Sequence, residues 1–222
     1  MEIFKPLTNE EKESDFEKIK KDAINFLFSF QTPEFYIDKG GVGTVYDLNN
    51  GYCIKILDER HTSPNREMFD LGNHPEIEAY IQNKVANTGY IGTTRVPKLF
   101  GTIGSEIEGE RNALIMERLN AVNLQHVISN SAILPKEFNL NNFFDDLEKF
   151  IKHMHETEGI IHNDLFARNV MIDNETGSPR VIDFGRSIDI TKSKSSEQNK
   201  HKIELDWKNL DDIYNELSAL HI

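Results

Sequence analysis

The chain has one cysteine, Cys53, among 222 residues, so an internal disulfide is excluded and a reducing compartment is the simpler expectation. Its place in an apolar run marks it as a packed thiol. No stretch of eighteen or more apolar residues occurs, and no basic-then-apolar leader opens the chain. Neither a membrane span nor ordinary secretory export is expected, and the expected location is cytoplasmic. Basic charge is scarce: 25 Lys and Arg stand against 37 Asp and Glu, a net charge of -12 with pI ≈ 5.1. An average surface of that sign repels phosphates, so nucleic acid is not expected as a bulk partner. The local exception is the Lys-rich stretch near Lys192 to Lys202. The composition from Thr191 to Lys202 predicts an exposed or disordered loop. Internal repeats are absent. The histidines lack metal-ligand spacing; His153 and His155, two apart on a helix, should face different sides.

Two strings carry chemistry. HNDLFARNVMID (162–173) and RVIDFG (180–185) contain Asp164, Asn169 and Asp183, a set suited to holding metal and phosphate. A triphosphate with bound Mg²⁺ needs oxygen ligands for the metal and one positioned base for the attacking hydroxyl, so the set points to phosphoryl transfer from ATP. Asp164 would orient or deprotonate the hydroxyl. Asn169 and Asp183 would hold metal, and His162 would brace the loop. Upstream, in the order such a site demands, lie the glycine-bearing KGGVGTVY and Lys55 in the run Tyr52 to Leu57. That run reads as a strand entered through the turn Asn49, Asn50, Gly51. A lysine there could also be a snorkelling side chain on an edge strand.

These motifs together resemble the protein-kinase-like superfamily, from about Tyr36 to about Leu217. The resemblance implies an α+β, bilobal fold with a β-rich N-lobe and a shortened helical C-lobe. Residues 34–119 would form the N-lobe and hinge, and 120–222 a truncated C-lobe. Gly40 and Gly43, followed by Val45, resemble the last two glycines and the valine of the loop that covers the ATP phosphates. Asp38 replaces the first glycine, and Gly41 restores some backbone freedom. Lys55 would contact the α and β phosphates. Its ion-pair partner would be Glu78 on the following helix, whose apolar face includes Ile81 and Val85; Glu76 and Glu67 remain candidates. IMERL resembles the hinge, with Met116 behind the adenine and Glu117 to Leu119 offering backbone groups. The catalytic residues implied are therefore Asp164, Lys55 and Glu78, and the cofactors are ATP and Mg²⁺.

The sequence departs from the family pattern at several points. Asn163 replaces the arginine before the catalytic aspartate, so activation by loop phosphorylation is not expected. Phe166 replaces the lysine common in serine/threonine kinases, while Arg168 precedes Asn169 as in many tyrosine kinases. HND also resembles choline and aminoglycoside phosphotransferases, but those usually lack the glycine of DFG, here Gly185. No APE motif follows. The segment ELDWKNLDDIYNELSAL predicts an amphipathic helix with Leu210, Ile213, Tyr214 and Leu217 on one face. Its Asp206 resembles the aspartate that braces the catalytic loop. Such truncation resembles short bacterial effector kinases, which would act in a host cytosol, and the Bud and RIO-type atypical kinases.

Two helices complete the reading. The stripe Phe143, Phe144, Leu147, Phe150, Ile151 and Met154 predicts a core helix from about Asn141 to Glu156. Residues 1–33 predict an amphipathic helix, with Phe16, Ile19, Ala23, Phe26, Leu27 and Phe30 on one face, packed on the N-lobe. The expectation is a protein kinase acting on a protein hydroxyl, serine or threonine before tyrosine, with an activating protein partner. A small-molecule phosphotransferase and an ATP-binding scaffold are the alternatives.

Overall fold

A computed structural model describes residues 18–19, 21–26, 33–40, 43–49, 51–57, 75–103, 112–192 and 196–220. Strands β1 (Tyr36–Lys39), β2 (Gly43–Asn49), β3 (Tyr52–Leu57), β4 (Leu99–Ile103) and β5 (Ala113–Glu117) form an antiparallel sheet in the order β1-β2-β3-β5-β4. Alternation along β3 sends its residues to two environments. Ile54 and Ile56 join Ala113 and Ile115 against Ile19 and Ala23 of the helical residues 18–19 and 21–26, α1. Cys53, Lys55 and Leu57 take the other face. Because β3 is central, with Lys55 opposite Val45 on one side and Leu114 on the other, the edge-strand reading of Lys55 is wrong. Burial of each Ile-sized side chain here contributes about 1.5–3 kcal/mol.

Helix α2 (Pro75–Ala86) crosses this sheet and sends Ile81 and Val85 into a second, larger core. That core is built on α4 (Leu140–Glu156), where Phe143, Leu147, Phe150, Ile151 and Met154 are buried at helical spacing. Asn139 caps α4, its side chain accepting from the Asn142 N–H at 3.0 Å. The same core takes residues from β6 (Ala121–Asn123), α3 (Leu124–Ile128), β7 (Ile160–Ile161), β8 (Val170–Asp173) and β9 (Pro179–Val181), and β10 (Ile188–Asp189) follows. The order β6-β8-β9 makes a small sheet, and β7 pairs with β10. Arg95, between α2 and β4, forms a parallel bridge with Arg180 of β9: its N–H donates to Pro179 and its carbonyl accepts from Val181.

Helix α5 (Ser196–Ser218) corrects the loop expected from Thr191 to Lys202, because it begins at Ser196 and buries Asn199. Lys, Glu and Gln are good helix formers, so a polar composition marks solvent exposure there and not lack of structure. Leu210, Ile213 and Leu217 are buried, whereas Tyr214 stays 42% exposed with its ring edge-to-face on Phe144. Phe16, Leu27, Phe30, Gly41 and Glu67 lie outside the described residues, as does the side chain of Glu76.

Candidate active site

The two cores meet at a cavity of about 840 Å³ lined by Gly40, Val45, Lys55, Met116, Asn169 and Asp183 among others. Lys55 projects into it from β3. Its Nζ lies 2.7 Å from Glu78 Oε1 and 2.7 Å from Asp183 Oδ1, so one ammonium bridges two carboxylates from different parts of the chain. Burial alone would lower the pKa of Lys55, but Glu78 and Asp183 outweigh it and hold the amine above its ordinary value. Burial raises Glu78, with Lys55 offsetting part of the rise. For Asp183 burial acts upward too, yet Lys55 and the Gly185 N–H bring the carboxyl below its usual value. Distance thus selects Glu78 as the acid paired with Lys55.

Asp164 and Asn169 sit on the loop between β7 and β8. Asn169 Nδ2 donates to the Asp164 carbonyl at 2.7 Å and to its Oδ2 at 2.9 Å. The other carboxylate oxygen takes Arg168 Nη2 at 2.8 Å, with Arg186 Nη1 at 3.6 Å. Two guanidinium groups therefore face Asp164, and the sequence pattern gives no hint of Arg186. The Ile182 N–H donates to the Asn169 carbonyl at 3.0 Å, which ties the segment carrying Asp183 to the loop carrying Asn169. Asp183 itself has φ +62, a left-handed backbone that only a well-supported residue retains.

His162 braces this loop from below. Its Nε2 is 3.1 Å from the Ile182 carbonyl and its ring packs on Phe184. Asp206 of α5, fully buried, accepts the N–H groups of His162 and Asn163 at 2.9 Å each. Asn163 also has positive φ and donates through Nδ2 to the Arg186 carbonyl at 3.0 Å.

Gly40 and Gly43 line the cavity. The Gly40 N–H donates to the Gly43 carbonyl at 2.9 Å. A Cβ on Gly43 would strike the Ile56 carbonyl oxygen, so the start of β2 approaches β3 too closely for any side chain. At the far end, the N–H groups of Glu117 and Arg118 are used by Lys98 and Gly51, leaving the Glu117 carbonyl and Leu119 as backbone positions facing the cavity. The Glu117 carbonyl accepts the long Cys53 Sγ contact of 3.5 Å. Burial pushes the Cys53 thiol up to about 12, so it is unreactive.

Mg²⁺ prefers carboxylate and carbonyl oxygen with near-octahedral geometry, and usually keeps several waters plus substrate phosphates. The side chains of Asn169 and Asp183 supply oxygens of that kind, on segments held together by the Ile182 bond. The donor set fits a metal completed by phosphate. It does not fit a cage built by protein alone, and no cluster of three or more His, Cys, Asp or Glu suited to a metal occurs among the described residues. No helix among them is long and apolar enough to cross a membrane.

Comparison with known proteins agrees with the geometry. A family described as "Protein kinase domain" matches residues 36–207. The probable serine/threonine-protein kinase fnkB of Dictyostelium discoideum is 37% identical over 81 residues, which is 36% of this chain and 15% of that protein. The match spans only a small part of that relative's length.

Proposed function

This chain belongs to the protein kinase domain family, and we propose that it transfers the γ-phosphoryl group of ATP, bound with Mg²⁺, to a protein hydroxyl, serine or threonine before tyrosine. The observation that carries this reading is the Lys55 ammonium between Glu78 and Asp183 at 2.7 Å from each. It supports an arrangement in which a fixed cation meets phosphate oxygens beside an acid that meets metal. The serine/threonine preference rests on the name of the partial relative.

Each residue then has a role. Gly40 and Gly43, which line the cavity, would face the phosphates, and Val45 and Met116 offer apolar walls to the adenine. Glu117 and Leu119 offer backbone atoms to its polar edge. Asn169 and Asp183 would hold Mg²⁺, which neutralises charge on the phosphates when bound. Asp164, fixed by Asn169 and Arg168, accepts the proton of the acceptor hydroxyl as its oxygen bonds to phosphorus and the bond to the ADP oxygen breaks. Because the Lys55–Glu78 pair is closed in the isolated chain, an activating partner, if needed, would act on the acceptor side of the cavity.

The test is incubation of the wild-type chain and Asp183→Ala with labelled ATP, Mg²⁺ and a mixed cell lysate, separating labelled proteins from labelled small molecules. Protein label with wild type alone supports the reading. Label on small molecules would replace it with a metabolite phosphotransferase, and ATP binding without any label would replace it with a scaffold.

A further inference from the structure

Away from the cavity, the back of α2 meets a second buried carboxylate, Asp189, at the end of β10. The Asp189 side chain is 4% exposed, and its Oδ2 receives the Tyr80 hydroxyl at 3.2 Å and Lys84 Nζ at 3.4 Å. Its Oδ1 receives the Thr191 N–H at 3.0 Å and the Thr191 hydroxyl. Lys84 Nζ also donates to the Glu158 carbonyl at 2.6 Å, and Lys192 Nζ lies 3.7 Å from the centroid of the Tyr80 ring.

Tyr80 and Lys84 are four residues apart and share one face of α2. At about 100° per residue they lie roughly opposite Glu78. The segment that begins at Gly185 therefore runs along α2 and binds it at Asp189, while Glu78 on the other face is held by Lys55. Near Gly185 it passes the Glu78 carboxylate, which stands 3.2 Å from where a Gly185 Cβ would be. At Asp189 it binds the opposite face. Two attachments on opposite faces fix the rotation of a helix, which one cannot do. Rotation matters because Glu78 meets Lys55 through one oxygen at 2.7 Å, and turning α2 by even 20° moves a side-chain tip by about 2 Å at the radius of a helix with side chains. Burial acts upward on the Asp189 carboxyl, but Thr191 and Lys84 hold it below its ordinary value, so it is a permanent anion at neutral pH.

We propose that Asp189 is a positioning residue for phosphoryl transfer: by holding Tyr80 and Lys84 it sets the rotation of α2 that delivers Glu78 to Lys55. The link to catalysis rests on the kinase reading above; the link to α2 does not. A carboxylate encoded in the chain does this continuously, so alignment of Lys55 requires no added phosphate on the segment after Gly185.

The test uses the full chain with two changes on the helix side, Tyr80→Phe with Lys84→Met, which leave the Asp189–Thr191 turn intact. Lys84→Arg serves as the conservative comparison. Hydrogen exchange of the α2 amides is measured alongside kcat and the KM values for Mg-ATP and for dephosphorylated casein as acceptor. The expected result is at least tenfold faster exchange in α2, unchanged exchange in α4, and kcat lowered about tenfold with the casein KM unchanged; Lys84→Arg retains at least half of kcat. Unchanged exchange in α2 would overturn the proposal, as would faster exchange with unaltered kcat. If the wild type transfers no phosphate to casein or to any lysate protein, the kinase reading fails separately, and the exchange of α2, measured also in Asp189→Asn, still decides whether Asp189 holds the helix.

Discussion

His155 and Asp206 meet in the interior, Nε2 to Oδ2 at 3.0 Å, linking the last turn of α4 to the middle of α5. The same carboxylate carries the N–H groups of His162 and Asn163. The loop bearing Asp164 thus hangs from two helices through one acid. Asp206→Ala orphans the buried His162 N–H, the half-buried Asn163 N–H and the imidazole, at roughly 1–3 kcal/mol for each group left unpaired. Urea denaturation should show a loss of at least about 3 kcal/mol. His155→Ala keeps both N–H bonds and should cost clearly less than Asp206→Ala.

Removing Lys55 should abolish phosphate incorporation, and it should also change how stability depends on pH. Lys55 is buried beside Glu78, itself 2% exposed, so Lys55→Met leaves a buried carboxylate without its cation. Burial then favours protonated Glu78, whose pKa in the folded state rises further above its unfolded value. The contribution of Glu78 to stability in this variant is fully present below its unfolded value and is lost as pH climbs through the raised folded value. Thermal melting from pH 5 to 9 checks this: the midpoint of Lys55→Met should fall relative to wild type as pH increases, and parallel curves would contradict it.

Asp146 gives the opposite slope. From α4 its side chain accepts the N–H and hydroxyl groups of Thr93 and Thr94 and the Tyr90 hydroxyl, pinning the turn after α2. Burial would raise its pKa, but the Thr94, Thr93 and Tyr90 donors outweigh it and hold the carboxyl below its ordinary 3.8. A lowered folded value contributes stability that is present above 3.8 and is lost as pH falls through the folded value. Asp146→Asn should therefore lose stability at pH 7 and show a shallower decline between pH 5 and 3 than wild type, measured by chemical denaturation at each pH.

Gly43→Ala tests the close approach of β2 to β3. Its Cβ would collide with the Ile56 carbonyl, a backbone group that cannot rotate away. Separation of the strands should cost about 1–3 kcal/mol and weaken nucleotide binding at the cavity roof. Gly89→Ala, with open space around it and no positive φ, is the control and should be neutral or slightly stabilising. Differential scanning calorimetry and titration with a fluorescent ATP analogue separate the two effects.

What the sequence discloses and what it hides divide along sequence separation. Asp164, Asn169 and Asp183 stand in two short strings, and Lys55 breaks a strand pattern, so their chemistry is visible locally. The α4 stripe is visible because helical spacing repeats several times. Glu78 is one of three acids near the right place; only a distance across 23 residues singles it out. Asp146 and Asp189 look like solvated carboxylates, because the Asp146 partners, and Tyr80 and Lys84 on Asp189, lie 52 or more residues away. The start of α5 is misread because a polar helix lying on the surface carries the same residues as a loop.

The Arg95 bridge to β9 has a mechanical meaning. The chain crosses from the five-stranded sheet to the small sheet at Leu119 and Asn120, and the paired backbone at Arg95 makes a second crossing. Two fixed points define an axle. Sliding the two sheets apart would rupture both backbone bonds, whereas a swing about that line, like a jaw, would spare them. For the proposed kinase activity, stiffening that line would be expected to slow nucleotide release without touching a single group placed to meet ATP.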